Sequence, residues 1–374
     1  VYFDNAASTQ MHEEVIQVMT DVMRYYYANP SSIHSSGTKS KVIIENSRRT
    51  IANLLNVEPS EIFFTSGGTE SNNQVIKGSI DYLGIKNVIT SPIEHDSVLS
   101  TLDALQKHNN FKVSYVKIKS DGHIDFNHLE ELLKKYPDSL VSLMHANNEI
   151  GNLLSIKETG ELCKKYNSIF HSDTVQTIGH FLIDLSKLNL HFASCSAHKF
   201  HGPKGIGFIY IDNSVKINPL ISGGHQEKNM RGGTENIAAI AGMSKALEIA
   251  VTNIEKDQKC IKELKDYTIK SLKDSFNDIE FNGDCINKSL FNIISISFPK
   301  DKNNEMLLYL LDMKGIAVSS GSACSSGTNN PSHVFSTLYP NSDRIPIRIS
   351  FSIYNKKEEI DFFVSTLKQI LTKN

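Results

Sequence analysis

Between Glu61 and Ile211 short apolar runs alternate with longer amphipathic ones. The runs Ile62-Phe63-Phe64, 87–90, 113–118, 140–145, Ile169-Phe170-His171, Phe192-Ala193 and Gly207–Ile211 read as strands. Between them, 71–82, 97–107, 126–135 and 156–166 repeat apolar residues at helical spacing. Short apolar strands separated by helices predict an α/β fold, with a mainly parallel sheet covered on both faces. Two further helices are expected upstream, over 12–27 and 36–55, the first ended at Pro30. Downstream, one helix ends near Thr252 and a charged one follows over 257–272. A strand at 293–298, a helix at 305–314, a strand at 345–350 and a last helix from Lys357 complete the pattern. It divides the chain into a large domain, 12–255, and a smaller α+β domain made of 1–11 and 256–374. In open parallel sheets ligands collect beyond the C-terminal ends of strands. The loops that carry chemical groups follow strands here.

Composition narrows the function classes. With 374 residues, 40% hydrophobic and 21% charged, the chain suits a two-domain globular protein. A net charge of −2 argues against a general nucleic-acid or membrane-surface binder. No apolar run reads as a transmembrane segment, and Val1-Tyr2-Phe3-Asp4-Asn5 lacks the basic start of a signal peptide, so the expected compartment is the cytoplasm. Five cysteines with no C-x-x-C pair argue against a disulfide framework and against a zinc site. Four of them, at 163, 195, 260 and 285, stand in apolar or helical surroundings and read as buried thiols. Cys324 stands apart, in the small, polar run Ser319-Ser320-Gly321-Ser322-Ala323-Cys324-Ser325-Ser326-Gly327. Nothing in that run would bury it, and an exposed free thiol is a liability unless it is used. A nucleophile on a moving loop is the sharper reading.

The chemistry centres on Ser194-Cys195-Ser196-Ala197-His198-Lys199-Phe200-His201-Gly202-Pro203-Lys204-Gly205, between two strands. Lys199 is poorly placed for packing and well placed to form a Schiff base with a carbonyl cofactor such as pyridoxal phosphate (PLP). A surface lysine after a turn is the bland alternative. Ser66-Gly67-Gly68-Thr69 hands a strand to a helix, which suits a phosphate or is simply a turn. Asp173, at a strand end, is either a cap or the partner of a pyridinium nitrogen. Gln176 and Asn148 offer amides to a ring oxygen, and His95, in Glu94-His95-Asp96, can stack on a ring and move protons. Arg348, the single charge in Ile345-Pro346-Ile347-Arg348-Ile349-Ser350, would grip a substrate carboxylate or form a structural ion pair.

Taken in order, these residues resemble the class V, fold-type I PLP enzymes, and specifically the cysteine desulfurases. The likeness runs from Tyr2-Phe3-Asp4-Asn5-Ala6-Ala7 through Asn29-Pro30-Ser31-Ser32, Thr65-Ser66-Gly67-Gly68-Thr69-Glu70-Ser71-Asn72, Glu94-His95 and His145-Ala146-Asn147-Asn148-Glu149. It continues through the lysine loop and Arg231-Gly232-Gly233-Thr234 to Ser320-Gly321-Ser322-Ala323-Cys324. The resemblance implies that Lys199 holds PLP, Asp173 binds its pyridine nitrogen, His95 stacks on the ring, and Asn148 and Gln176 serve the ring oxygen. Gly68, Thr69, Ser196 and His198 would cradle the phosphate, with Thr234 contributed by a second subunit of a homodimer. Arg348 and Asn29 would hold the carboxylate of L-cysteine. Lys199 would take the Cα proton and Cys324 the sulfur, leaving alanine and a persulfide for an iron–sulfur scaffold or another acceptor protein. No metal, nucleic acid or membrane is expected. The long interval between Cys324 and Arg348 resembles the long-loop group. Ser350-Phe351-Ser352-Ile353-Tyr354 departs from the family by lacking a glycine and a second arginine. Other reactions on this scaffold are selenocysteine lyase, kynureninase-like lyase and aminotransferase, the last having no use for Cys324. A cofactor-free binding platform would need none of Lys199, Asp173, His95 and Cys324.

Overall fold

The computed structural model describes residues 1–300, 306–321 and 332–371. A seven-stranded sheet organises the larger part. Its strands are β1 (Ile62–Thr65), β2 (Asn87–Thr90), β3 (Lys112–Tyr115), β4 (Leu140–Ser142), β5 (Ile169–Asp173), β6 (Phe192–Ser196) and β7 (Gly207–Ile211). They stand in the order β1-β7-β6-β5-β4-β2-β3. Pairs from β3 to β6 are parallel, while β7 runs antiparallel to both β6 and β1. The sheet is therefore mainly parallel, as the alternating pattern predicts. The runs 113–118 and 140–145 yield shorter strands than expected, because their last residues leave the ladder for loops at the sheet's C-terminal edge.

Side-chain alternation explains why both faces are covered. On β6 and β7, Ala193, Cys195, Phe208 and Tyr210 point into one core, and Phe192, Ile209 and Ile211 into another. The first core takes in α1 (Glu13–Tyr25), α2 (Ser35–Leu55), α5 (Phe126–Lys135) and α6 (Ile156–Lys165). The opposite face is closed by α3 (Gly68–Asp81) and α4 (Asp96–Gln106) through Val75, Ile76, Ile80, Val98 and Leu102. Helix α3 begins at Gly68 rather than near Ser71, so the Gly-Gly turn is itself the helix start.

The long helix α7 (Ile237–Ser275) corrects one expectation: it is a single helix of 39 residues, not two. No glycine or proline interrupts 252–257, so the shift from apolar to charged composition marks a change of surroundings. Ala239–Ala250 packs in the sheet's core, whereas Ile261, Ile269 and Leu272 belong to a second cluster. The expected boundary at 255/256 falls within this helix. Part of it is long and apolar enough to span a bilayer, although no apolar run was expected to do so. Its apolar side is instead taken up by the two cores. The second core surrounds an antiparallel sheet, in the order β10-β9-β8, of β8 (Glu280–Phe281), β9 (Ile293–Phe298) and β10 (Ile345–Ser350). Helices α8 (Leu307–Asp312) and α10 (Lys357–Leu371) and the side chain of Phe3 pack on it. A short α9 (His333–Leu338) precedes β10. The N-terminal segment is stitched to β10 by Asn5 Nδ2 donating to Ser350 O (2.9 Å) and Ala6 N to Ser350 Oγ (2.8 Å).

Among the described cysteines, Cys163, Cys195 and Cys285 are buried, whereas Cys260 is exposed on α7 and so departs from the expectation. Cys324 lies outside the described residues.

Candidate active site

A cavity of about 460 Å³ opens where the loops after β1, β2, β4, β5 and β6 converge, closed on one side by the N-terminal segment and Arg348. Lys199 enters it from a short 3-10 turn, Ala197–Lys199, directly after β6. Its Nζ donates to the carbonyls of Ala6 (2.6 Å) and Ala7 (2.9 Å). The amine thus lies where strand end and N-terminal segment meet.

Asp173 ends β5 and is 7% exposed. Its Oδ1 accepts from Val175 N (3.0 Å) and its Oδ2 from Asn72 Nδ2 (2.7 Å). It therefore caps its own turn, and both oxygens act as acceptors. The same Asn72 amide donates to Ser97 Oγ (2.8 Å), which lies 2.8 Å from His95 Nδ1. His95 is the N-cap of α4, its Nδ1 accepting from Ser97 N (3.0 Å). One buried carboxamide on α3 thereby ties Asp173 to His95, whose strands, β5 and β2, are separated in the sheet by β4. Asn72 and Ser97 carried no assigned role in the sequence. The one local mark of Asn72 is an amide four residues after the Gly-Gly turn, and Ser97 has none.

At the other end of the cavity stand Ser66, Gly67, Gly68, Thr69, Ser196 and His198. Gly67 has φ 149°, which L side chains rarely adopt. A Cβ on Gly68 would lie 2.6 Å from Val175 Cγ2. His198 Nδ1 is buried without a partner among the described residues. Burial pushes the imidazole down to about 3, and Lys199 and Lys204 press the same way, so it is neutral at physiological pH. Glu70, in the first turn of α3, accepts from Ser66 N (2.9 Å) and pairs with Arg231 (3.1 Å). Together these features make a cup of backbone N–H groups and hydroxyls at a helix N-terminus, suited to an anion.

Arg348 is 2% exposed and lines the cavity. Its Nη1 donates to Asn148 O (2.8 Å) and its Nη2 to Asp4 Oδ1 (2.7 Å), while its Nε has no partner among the described residues. The structural ion pair considered for this arginine therefore exists, with a carboxylate at the far end of the chain. Asp4 was not singled out in the sequence, because nothing local marks a residue that meets its partner 344 positions away.

A model of the aminotransferase class-V family matches residues 1–363. The chain belongs to the class-V aminotransferase family. Within it, the chain is 41% identical to a cysteine desulfurase IscS of Dictyoglomus turgidum, over all of this chain and 95% of the relative. A solved NifS-like protein superposes with TM-score 0.91 at 37% identity, over 100% of this chain and 99% of that one. A structure of SspA in complex with cysteine does so with TM-score 0.81 at 30% identity, over 95% and 99%. The chain is an enzyme of the cysteine desulfurase type.

Most of the class-V site residues named from the sequence share the cavity wall: Gly68, Thr69, His95, Asn148, Asp173, Gln176, Ser196, His198, Lys199 and Arg348. Gln176 has its amide already engaged, Nε2 donating to Ala6 O (3.0 Å). Asn29 and Thr234 do not line the cavity. Asn29 is exposed, and its Oδ1 accepts from Ser31 N (2.9 Å) in its own turn. Thr234 is exposed on the loop before α7.

Proposed function

We propose that this cavity holds PLP and converts L-cysteine to alanine, with the sulfur passing to Cys324. The observation that carries the reading is the meeting of the Lys199 amine, the doubly bonded Asp173 carboxyl and the unpartnered Arg348 Nε around one cavity. The residues fit the group. His198 Nδ1 lacks a partner, the space beside Val175 suits only a glycine at 68, and Asp173 presents acceptors alone. When bound, PLP supplies a carbonyl for amines and a ring that withdraws electrons from the substrate Cα.

Lys199 takes the Cα proton on Nζ. Asp173, whose oxygens accept from Val175 N and Asn72 Nδ2, would also accept from the pyridine nitrogen, and His95 would cover the ring. Asn148 and Gln176 would serve the ring oxygen, and Gly68, Thr69, Ser196 and His198 would hold the phosphate. Arg348 binds the cysteine carboxylate, with Asn29 as a second candidate from outside the cavity wall. The Cys324 thiolate attacks the substrate sulfur. An S–S bond forms, the Cβ–S bond breaks with its electron pair left on carbon, Cβ takes a proton, and Lys199 Nζ returns a proton to Cα, giving alanine and a persulfide on Cys324. Exposure of Thr234 away from its own cavity agrees with a homodimer in which it reaches the second site. The persulfide would pass to an iron–sulfur scaffold or another acceptor protein, in the cytoplasm.

The test compares the purified protein with Cys324→Ala. Both should show a PLP absorption band, and only the parent should yield alanine and sulfide from L-cysteine with a reductant. Full activity in the variant would point to a lyase or transaminase that ignores the thiol. No band after incubation with PLP would sink the reading.

A further inference from the structure

The phosphate end of the cavity, as described so far, has no permanent positive charge. Its hydroxyls and backbone N–H groups are neutral, and so is His198. The fully charged cations nearby are committed: Arg348 pairs with Asp4, Arg231 with Glu70, and Lys199 Nζ donates to two carbonyls. A phosphate ester carries close to two negative charges at neutral pH. Such an anion in a partly desolvated cup calls for a cation.

We infer that Lys204 supplies that cation and is a phosphate-contacting residue of this site. Strand register puts it at the right end. Gly207 pairs with Ser196 on one side and with Thr65 on the other. The loop 197–206 therefore emerges beside the Gly67-Gly68 turn, with a Cβ on Gly207 only 2.8 Å from Gly67 Cα. Lys204 lies three residues before Gly207 and lines the cavity together with Ser66, Gly68, Ser196 and His198. Its charge already acts on His198, being one of the causes that keep that imidazole neutral. Among the described residues no carboxylate pairs with it, and the next residue, Gly205, has φ 75° with open space where a Cβ would stand. An ammonium on a long stem at the mouth of an anion cup can close over the phosphate without disturbing the fold. The division of labour is then plain: the helix start and hydroxyls give shape, and Lys204 gives charge.

This inference rests on the cofactor reading above, and the test separates the two. Wild type, Lys204→Gln and Lys204→Arg, each stripped of cofactor, are titrated with PLP and with pyridoxal, which has a hydroxyl in place of the phosphate. Lys204→Gln should weaken PLP binding roughly tenfold or more, as expected for a charge-assisted contact. It should leave pyridoxal binding unchanged, and Lys204→Arg should recover most of the loss. Inorganic phosphate alone should raise the thermal midpoint of the stripped wild type more than that of Lys204→Gln. Unchanged PLP binding in Lys204→Gln, or an equal loss for PLP and pyridoxal, overturns the inference while leaving the cofactor reading intact. A wild type that binds neither ligand overturns both.

Discussion

Arg48 and Arg348 are both 2% exposed, yet the two buried guanidinium groups live in different surroundings. Arg48, on α2, uses every nitrogen. Nη1 donates to Ile62 O (2.7 Å) and Glu227 Oε2 (2.8 Å), Nη2 to Glu227 Oε1 (2.8 Å), and Nε approaches Glu45 (3.4 Å). Glu227 also accepts from Phe64 N (2.7 Å). The pair holds a loop in which Glu227, Lys228 and Asn229 all take positive φ, 44°, 55° and 69°, at a cost L residues normally avoid. Arg348 faces a cavity and, among the described residues, keeps Nε without a partner. A saturated buried charge fastens structure. A charge with a donor left over, beside open space, is available to a ligand.

The largest effect should come from breaking the saturated pair. Arg48→Met leaves Glu227 charged and unpaired in the core, and should cost about 3–5 kcal/mol of unfolding free energy. Urea denaturation reads this, with activity per folded molecule retained. A loss below about 1 kcal/mol would remove the contrast with Arg348.

Next comes Arg348→Lys, for which the opposite pattern is expected. The ammonium can still meet Asp4 but cannot present two parallel donors to a carboxylate. The cysteine kcat/KM should fall on the order of a hundredfold, through KM more than kcat, with stability altered by no more than about 1 kcal/mol. Equal losses of stability and activity would make Arg348 a second Arg48.

Acid should separate the two regions further. Burial holds His145, His180 and His201 down at about 4 and His198 at about 3. An unfolded imidazole takes its proton near 6.5, so below that pH the unfolded chain binds more protons. The stability these groups contribute is present above pH 6.5 and is lost as the pH falls toward 4. Hydrogen exchange at pH 7.5 and 5.5, corrected for intrinsic rates, should show protection falling first in the loop 197–206. Protection of α2 and β1 around Arg48 should fall later. Simultaneous loss would show that the two regions open as one unit.

The smallest effect belongs to Glu45→Gln. Glu45 is the outer partner of Arg48 and is 37% exposed in its side chain, so the change should stay within about 0.5 kcal/mol. A larger loss would mean that the exposed arm, and not Glu227, fastens the arginine.

How much of the site was legible depended on whether a residue's partners are local. Lys199, Asp173, His95 and the Gly67-Gly68 turn each follow a strand, so alternation of strands and helices already put them at one sheet edge. Asn72 and Ser97 could be read only once α3 and α4 were seen to bring them within hydrogen-bond distance. Asp4 and Ser350 were invisible for the same reason on a longer scale, since chain length says nothing of which distant segments meet. The two-helix reading of 237–275 failed because polarity reports surroundings, while helix continuity depends on the backbone.

The sequence alone determined what is periodic or chemically distinctive: an α/β sheet, a Gly-Gly turn between a strand and a helix, lysines in a polar inter-strand loop, and the likeness to the class-V enzymes. These follow from side-chain spacing and residue type, which need no partner. Tertiary structure decided which charges are spent and which are spare. Arg348 stands in an apolar run and Arg48 in the polar Glu45-Asn46-Ser47-Arg48-Arg49-Thr50, yet only the packing of remote segments gives Arg48 an acceptor for every nitrogen. It leaves Arg348 with a donor that has no partner among the described residues, beside the cavity. A buried charge is defined by its neighbours, and those neighbours come from the whole fold.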